Sequence, residues 1–276
     1  MRRSVPVVAL ALAGAAVAAA VRALWLEPRS LRVTRHDLVL PRWPAPLDGL
    51  RLAAIADLHA GAPHVDLAKL DRVVAAVNRE HPELVALLGD YADPEVALGR
   101  RIAPEAVAQR LAHLRAPALA VLGNHDWNHW GEQMLAALRR AGVTVLENDA
   151  VPIAVRGARL WAVGLADAST HAPSFEALDA VPDGEPVLVL SHDPDVFAHV
   201  PPRVALTLAG HTHGGQVNLP WVRERVTPSR HGARYAQGPV EEDGRHLFVT
   251  RGIGTSRLPV RFRAPPEVAA LRLRTR

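Results

Sequence analysis

Five apolar stretches of the chain each stop at residues able to bind metal ions. Asp57-Leu58-His59 follows the first, Gly89-Asp90 the second and Gly123-Asn124-His125-Asp126 the third. Ser191-His192 follows the fourth and Gly210-His211-Thr212-His213 the fifth. Carboxylate and amide oxygens with neutral imidazoles suit Mn²⁺, Fe or Zn²⁺. The chain has no cysteine, which excludes thiolate ligands and disulfides. Each cluster alone says little, since Asp-x-His is common in surface turns and Gly-Asp is nearly meaningless. His-x-His recurs in many zinc sites, and Gly-Asn-His-Asp directly after an apolar run is more specific. The ordered set carries the argument.

The clusters need strands to deliver them to one place. Buried strands are expected at Arg51–Ala56, Leu84–Leu88, Ala118–Leu122, Val187–Leu190 and Val204–Leu208, with others at Val143–Leu146, Arg159–Val163, His246–Thr250 and Val268–Leu273. Asp66 can cap a helix whose Leu67, Leu70, Val73, Val74 and Val77 share one face. Pro104–Leu114 and Gly131–Arg140 read as two more helices, the latter ended by Gly142. Strand and helix alternate in the first half and strands dominate the second, which predicts a parallel βαβ half and a strand-rich half. Ligands in α/β proteins gather beyond the carboxyl ends of strands, so five such ends can build one site.

These blocks resemble, in content and order, those of the calcineurin-like metallophosphoesterases. The resemblance runs from Asp57 to His213. Thr250-Arg251-Gly252-Ile253-Gly254-Thr255-Ser256 and Leu258-Pro259-Val260-Arg261-Phe262 look like its membrane-anchored or exported bacterial branch, which includes cell-wall-associated phosphodiesterases and enzymes similar to UDP-2,3-diacylglucosamine pyrophosphatases. The resemblance implies a four-layer α/β/β/α sandwich with two divalent metals. Asp57, His59 and His213 would hold one ion, Asn124, His192 and His211 the other, and Asp90 both. It implies that His125 protonates or steadies the departing oxygen and that Asp126 orients His125 by accepting its hydrogen bond. The expected activity is hydrolysis of a phosphodiester or pyrophosphate, with a lipid-linked or envelope phosphate as the leading substrate.

Departures narrow this further. The protein Ser/Thr phosphatase pattern needs Gly-Asp-x-x-Asp-Arg-Gly, but Asp93 is followed here by Pro94 and the third block ends in Asp126. Asp93 then reads as a carboxylate that supports the site or caps its loop rather than as a ligand. The metallo-β-lactamase pattern fails because Gly214 and Gly215 follow His213. A nuclease or nucleotide phosphodiesterase on the same core is the rival enzyme, yet no basic cluster with interleaved aromatics supports a nucleic-acid partner. A non-catalytic scaffold is disfavoured by the complete ligand set. Lys69 is the single lysine among 32 basic residues, and the net charge is only +4, so the arginine excess reads as codon bias. Trp127, Trp130 and Trp221 lie near the catalytic blocks, as core packing or as an apolar lip. His64, His129 and His171 fall in expected loops and read first as ordinary surface residues, with contact to a substrate as the alternative.

The N-terminus is a separate matter. Arg2 and Arg3 precede an uncharged apolar run from Ser4 to Val21. Residues 1–24 therefore read as a single anchor in the bacterial cytoplasmic membrane. The alternative is export by a cleaved, twin-arginine-like signal, with small residues at Ala18, Ala19 and Ala20. Residues 25–49, with Pro41, Pro44 and Pro46, read as a linker, and residues 50–276 as the catalytic domain.

Overall fold

The computed structural model describes residues 4–276, so Arg2 and Arg3, and the twin-arginine reading with them, lie outside the described residues. Chain order begins with helix α1 (Ser4–Val21), a π-helical turn (Arg22–Leu26) and the short α2 (Glu27–Arg29). Strands β1 (Arg32–Leu40) and β2 (Leu50–Ile55) follow. Then α3 (Leu67–Arg79), β3 (Leu84–Leu88), α4 (Pro104–Leu111), β4 (Ala118–Val121), α5 (Asn124–His129), α6 (Glu132–Arg140) and β5 (Thr144–Val145) complete the first half. The second half holds β6 (Asp149–Val155), β7 (Ala158–Gly164), β8 (Val187–Leu190), β9 (Leu206–Ala209), α7 (Pro220–Val226), β10 (Gly238–Glu242), β11 (Arg245–Val249) and β12 (Glu267–Thr275).

Two six-stranded mixed sheets result, ordered β1-β12-β2-β3-β4-β5 and β10-β11-β9-β8-β7-β6. The strands leading to the site, β2-β3-β4 in one sheet and β8-β9 in the other, pair in parallel. Alternation along each strand explains the stacking. Ala53 and Ile55 of β2 and Val85 and Leu87 of β3 face the helices, while Leu52, Ala54, Leu84, Ala86 and Leu88 face the other sheet. The helical layer over the first sheet buries Leu70, Val73, Val77, Val107, Leu111, Met134 and Leu138. The layer over the second sheet is thinner than expected: its third apolar cluster is closed by 3-10 turns at Phe175–Ala180 and Pro194–His199.

The expected helix signals act as proposed. Asp66 Oδ1 accepts from Lys69 N at 2.8 Å, and Gly142, at φ +83°, ends α6. The expected linker at 25–49 is wrong. Its residues 32–40 form β1, paired in parallel with β12 along its whole length, and Leu40, Trp43 and Leu47 are buried between the sheets. The prolines lie in the turn after β1 and leave its ladder intact. The folded unit therefore begins before Leu50.

Candidate metal centre

The metal-binding clusters sit beyond the ends of their strands, at one edge of the sandwich. Strand β2 ends at Ile55, so Asp57 and His59 lie in the following loop. Its backbone stays zipped to the end of β3: Asp57 N donates to Gly89 O and His59 N to Asp90 O, both at 2.9 Å. Asp57 (φ +51°), His59 (+43°), Asp90 (+57°), His211 (+68°) and His213 (+52°) all adopt the left-handed conformation. Such backbone costs roughly 1–3 kcal/mol per residue and persists only where its surroundings fix it. Here they do: His211 N donates to Asp57 Oδ1 at 3.0 Å, tying the two sheets together. Gly210 makes this approach possible, because a Cβ there would lie 2.5 Å from Ala56 Cβ and 2.9 Å from Asp57 Oδ2.

Two groups of donor atoms converge. In the first, His59 Nε2 lies 3.1 Å from His213 Nε2, and His213 Nε2 lies 3.7 Å from Asp57 Oδ1. In the second, His192 Nε2 lies 3.0 Å from His211 Nδ1, 3.2 Å from Asp90 Oδ2 and 3.2 Å from Asn124 Oδ1. Asp90 Oδ2 joins the groups, since it is also 3.5 Å from His59 Nε2. Ring orientation is set from behind: His192 Nδ1 donates to Leu88 O at 2.8 Å, and His59 Nδ1 to Asp93 Oδ2 at 3.0 Å, turning each Nε2 inward.

The electrostatics fit divalent cations. Burial alone would raise the Asp90 pKa, but the imidazoles of His192, His59 and His125 outweigh it and hold the carboxylate well below its ordinary value. Burial pulls His192 down, yet Asp90 outweighs this and lifts it well above the usual imidazole value. An anion so placed demands positive charge, which a metal ion supplies as well as a proton does. Burial, with help from His192, lowers His211 to about 4, and burial lowers His213 well below its usual value, leaving both as neutral imidazoles able to bind metal.

His125 stands beside this centre, but its partner is not the expected one. Asp126 Oδ2 accepts from Asp90 N at 2.7 Å and Gly123 N at 3.0 Å, and Oδ1 accepts from Tyr91 N at 2.8 Å. Asp126 thus clamps the ends of β3 and β4 and does not hold the His125 ring. Successive residues on a helix point in different directions, so two neighbours in the first turn of α5 cannot serve each other. Asp93 takes that place: its Oδ2 is 3.0 Å from His125 Nδ1, an ion-pair contact off the line of a good hydrogen bond. Burial lowers the His125 pKa, but Asp93 and Asp90 outweigh it and raise the group to about 9. His129 adds a third imidazole, 3.9 Å from Asp93 Oδ1.

Other candidates separate. His171 stacks on Trp127, with ring centroids 4.2 Å apart, and His64 lies by the end of the N-terminal helix, its Nε2 3.0 Å from Leu24 O. Trp127 and Trp130 are half-buried against the helical layer, whereas Trp221 is 80% exposed. Arg251 is engaged by Glu267, to which its Nε donates at 2.8 Å. Sequence reasoning gave no role to Arg261, which is fully buried. Its guanidinium donates to Gly254 O and Ala264 O at 2.7 and 2.8 Å and approaches His213 Nδ1 at 3.3 Å. A lone arginine after Leu-Pro-Val carries no signal of burial.

Comparison with known proteins agrees with this architecture. The phosphodiesterase YaeI of Escherichia coli is 34% identical over 259 residues, covering 90% of each chain. The uncharacterized metallophosphoesterase YkuE of Bacillus subtilis is 31% identical over 259 residues, covering 92% of this chain and 89% of its own. The UDP-2,3-diacylglucosamine pyrophosphatase LpxG of Chlamydia trachomatis is 29% identical over 307 residues, covering 90% of each. The family model described as calcineurin-like phosphoesterase matches residues 50–215. The chain therefore belongs to the calcineurin-like phosphoesterases, two-metal hydrolases of phosphoester bonds.

Proposed function

We propose that this protein is a phosphodiesterase or pyrophosphatase whose substrate is a lipid-linked phosphate, anchored beside it in the bacterial cytoplasmic membrane by α1. The assignment of ligands rests on one observation above all: Asp90 Oδ2 lies within 3.5 Å of imidazole nitrogens from both donor groups. Asp57, His59 and His213 would hold one ion, Asn124, His192 and His211 the second, and Asp90 would serve both. Two divalent ions held there would supply an activated water and charge to offset the phosphoryl oxygens.

The chain's own residues do the rest. Asp93 beside Nδ1 keeps His125 protonated and leaves Nε2 to deliver a proton to the departing oxygen. Asp126 fixes the backbone that presents Asp90 and Asn124. The membrane reading is supported by a helix long and apolar enough to cross a bilayer. The lipid-linked substrate is supported by the likeness to LpxG.

The test is a panel of a soluble aryl phosphodiester, UDP-linked acylated sugars, other lipid phosphates, nucleotides and single-stranded DNA, offered to metal-loaded protein. Preferential hydrolysis of an acylated pyrophosphate or lipid diester is expected. Turnover confined to nucleotides or nucleic acid would replace this reading with the rival one.

A further inference from the structure

The N-terminal helix does not lead into a flexible tether. Ala23 O accepts from Arg261 N at 3.0 Å, and Glu27 Oε1 accepts from Ala264 N at 2.7 Å. Lys69 Nζ, from α3, donates to Arg29 O at 3.0 Å and to Ser30 O. The Arg22 guanidinium lies 5.5 Å from the Phe262 ring centre. Residues 22–30 are thus gripped by two separate segments of the catalytic domain, residues 261–264 and α3. The apolar residues end at Leu26, one position before buried Glu27. Whatever part of the domain stands level with residues 22–26 must then lie at the surface of the bilayer that α1 enters.

That part is chemically distinct. A groove of about 940 Å³ is lined by Arg29, His64, Arg72, Arg100 and Arg101, with Leu98 at its edge. Arg29 leans on Trp25 and donates to His64, and Arg101 lies over Trp130. Among the described residues, none of the four arginines has a carboxylate within ion-pair distance. Leu98 is 90% exposed and holds φ +65°, an unusual backbone for a leucine at a loop tip. The neighbouring loop, joined to it by Ala97 N donating to Arg257 O at 3.0 Å, exposes Leu258. On the far side of Phe262, whose carbonyl accepts from Asn218 N at 2.8 Å, α7 exposes Trp221 and Val226. Exposed apolar tips, tryptophans and unpaired arginines around the end of an apolar helix are what a headgroup layer receives.

We propose that this face rests in the headgroup layer of an anionic bilayer, with Leu98, Leu258 and Trp221 inserted and the four arginines against lipid phosphates. The inference rests on reading α1 as membrane-embedded and extends it to an orientation. Two of the tips follow segments that carry proposed ligands, Leu98 after Asp90 and Trp221 after His213, and the loop of Leu258 packs against a third, with Gly254 N donating to Asp57 O. The mouth of the site is therefore held at the membrane surface, where a bilayer-resident phosphoester enters without leaving the lipid.

Because the chain has no cysteine, a single fluorophore can be placed at will. Full-length Leu98→Cys, Leu258→Cys, Ala16→Cys and Asp183→Cys would be labelled and reconstituted into vesicles of phosphatidylglycerol and phosphatidylcholine bearing a nitroxide quencher. Asp183 precedes β8, at the opposite edge from the site. Loss of fluorescence at positions 16, 98 and 258 but not at 183 is expected. Loss at 98 should lessen in purely zwitterionic vesicles, and no lessening overturns the role given to the arginines. Quenching at position 16 alone overturns the orientation and leaves the anchor intact. Quenching at none of them overturns the anchor as well, and equal quenching at 183 overturns the orientation.

Discussion

Asp93 Oδ2 lies 3.0 Å from His125 Nδ1, and the same oxygen lies 3.0 Å from His59 Nδ1. One buried carboxylate thus positions both the proposed proton donor and a proposed metal ligand. Asp93→Asn should lower kcat by about 10–100-fold and weaken metal binding, the usual result of losing a carboxylate behind a ligand histidine. His125→Ala should lower kcat by about 10²–10⁴-fold with both metals retained, and the loss should shrink for substrates with good leaving groups. Metal content measured beside kcat separates the two. An Asp93→Asn enzyme with wild-type rate and metal content would remove Asp93 from the mechanism.

Asp126 predicts a different phenotype. Its carboxylate satisfies the backbone N–H groups of Asp90, Tyr91 and Gly123, all buried. Asp126→Ala should cost about 3 kcal/mol or more, at roughly 1–3 kcal/mol for each donor left unpaired. Denaturant titration would register the loss. Unchanged stability with a slow turnover would instead return Asp126 to a direct catalytic role.

The sequence made the candidate donor clusters legible because the strands that lead to them are buried on both faces. Such strands read as unbroken apolar runs, and the polar cluster ending each one is conspicuous. The strands that were missed, β1, β6 and β10, all lie at sheet edges. The run Arg32-Val33-Thr34-Arg35-His36-Asp37 in β1 alternates half-buried and exposed residues, so it looks like loop. The partner of His125 was misread for another reason. Asp126 is next to it in sequence, whereas Asp93 comes from the loop after β3 and is brought there only by the fold. The left-handed backbone at Asp57, His59, Asp90, His211 and His213 has no signature in the sequence, because even Asp and His, which enter that region more readily than most residues, do so only occasionally.

Chelation should abolish hydrolysis, and Mn²⁺ or a similar ion should restore it. Among single substitutions at the proposed ligands, Asp90→Asn should be the most damaging, because Oδ2 serves both donor groups. The measurement is metal stoichiometry alongside rate. Loss of one ion only, with half the activity kept, would show that Asp90 is not a bridge.

Glu147 offers a test away from the proposed ligands. Burial, only partly offset by the N–H of Leu122 that it accepts, raises its pKa from 4.5 to about 7. The folded state then binds the proton more tightly than the unfolded state. The stability it contributes is present below about pH 4.5 and is lost as pH rises through about 7. Glu147→Gln keeps an acceptor for Leu122 and removes the charge. It should raise Tm by about 2–4 °C at pH 8, for about 1 kcal/mol after allowing for partial exposure, and by less at pH 5. A gain equal at both pH values would rule out titration as its source.

The strand β1 makes the last prediction, and it concerns where the catalytic unit starts. A chain beginning at Leu50 retains every proposed ligand but loses β1, Trp43 and Leu47. β12 would then be an open edge, with nine residues stripped of their parallel partner. Leu40, Trp43 and Leu47 are at most 2% exposed, so their removal opens the core between the sheets. At about 1.5–3 kcal/mol for each buried side chain, the loss is about 5 kcal/mol or more. That is comparable to the whole stability of a typical domain, at about 5–15 kcal/mol. A chain beginning at Glu27 keeps β1, the turn before it with Lys69 Nζ donating to Arg29 O, and the contact with Ala264. The Glu27 chain should therefore be folded and hydrolyse a soluble diester, while the Leu50 chain should aggregate or melt far lower. Circular dichroism melts and diesterase rates on the two chains decide it. Equal melting temperatures would mean that β1 is an accessory to the fold and that the ligand-bearing core stands without it.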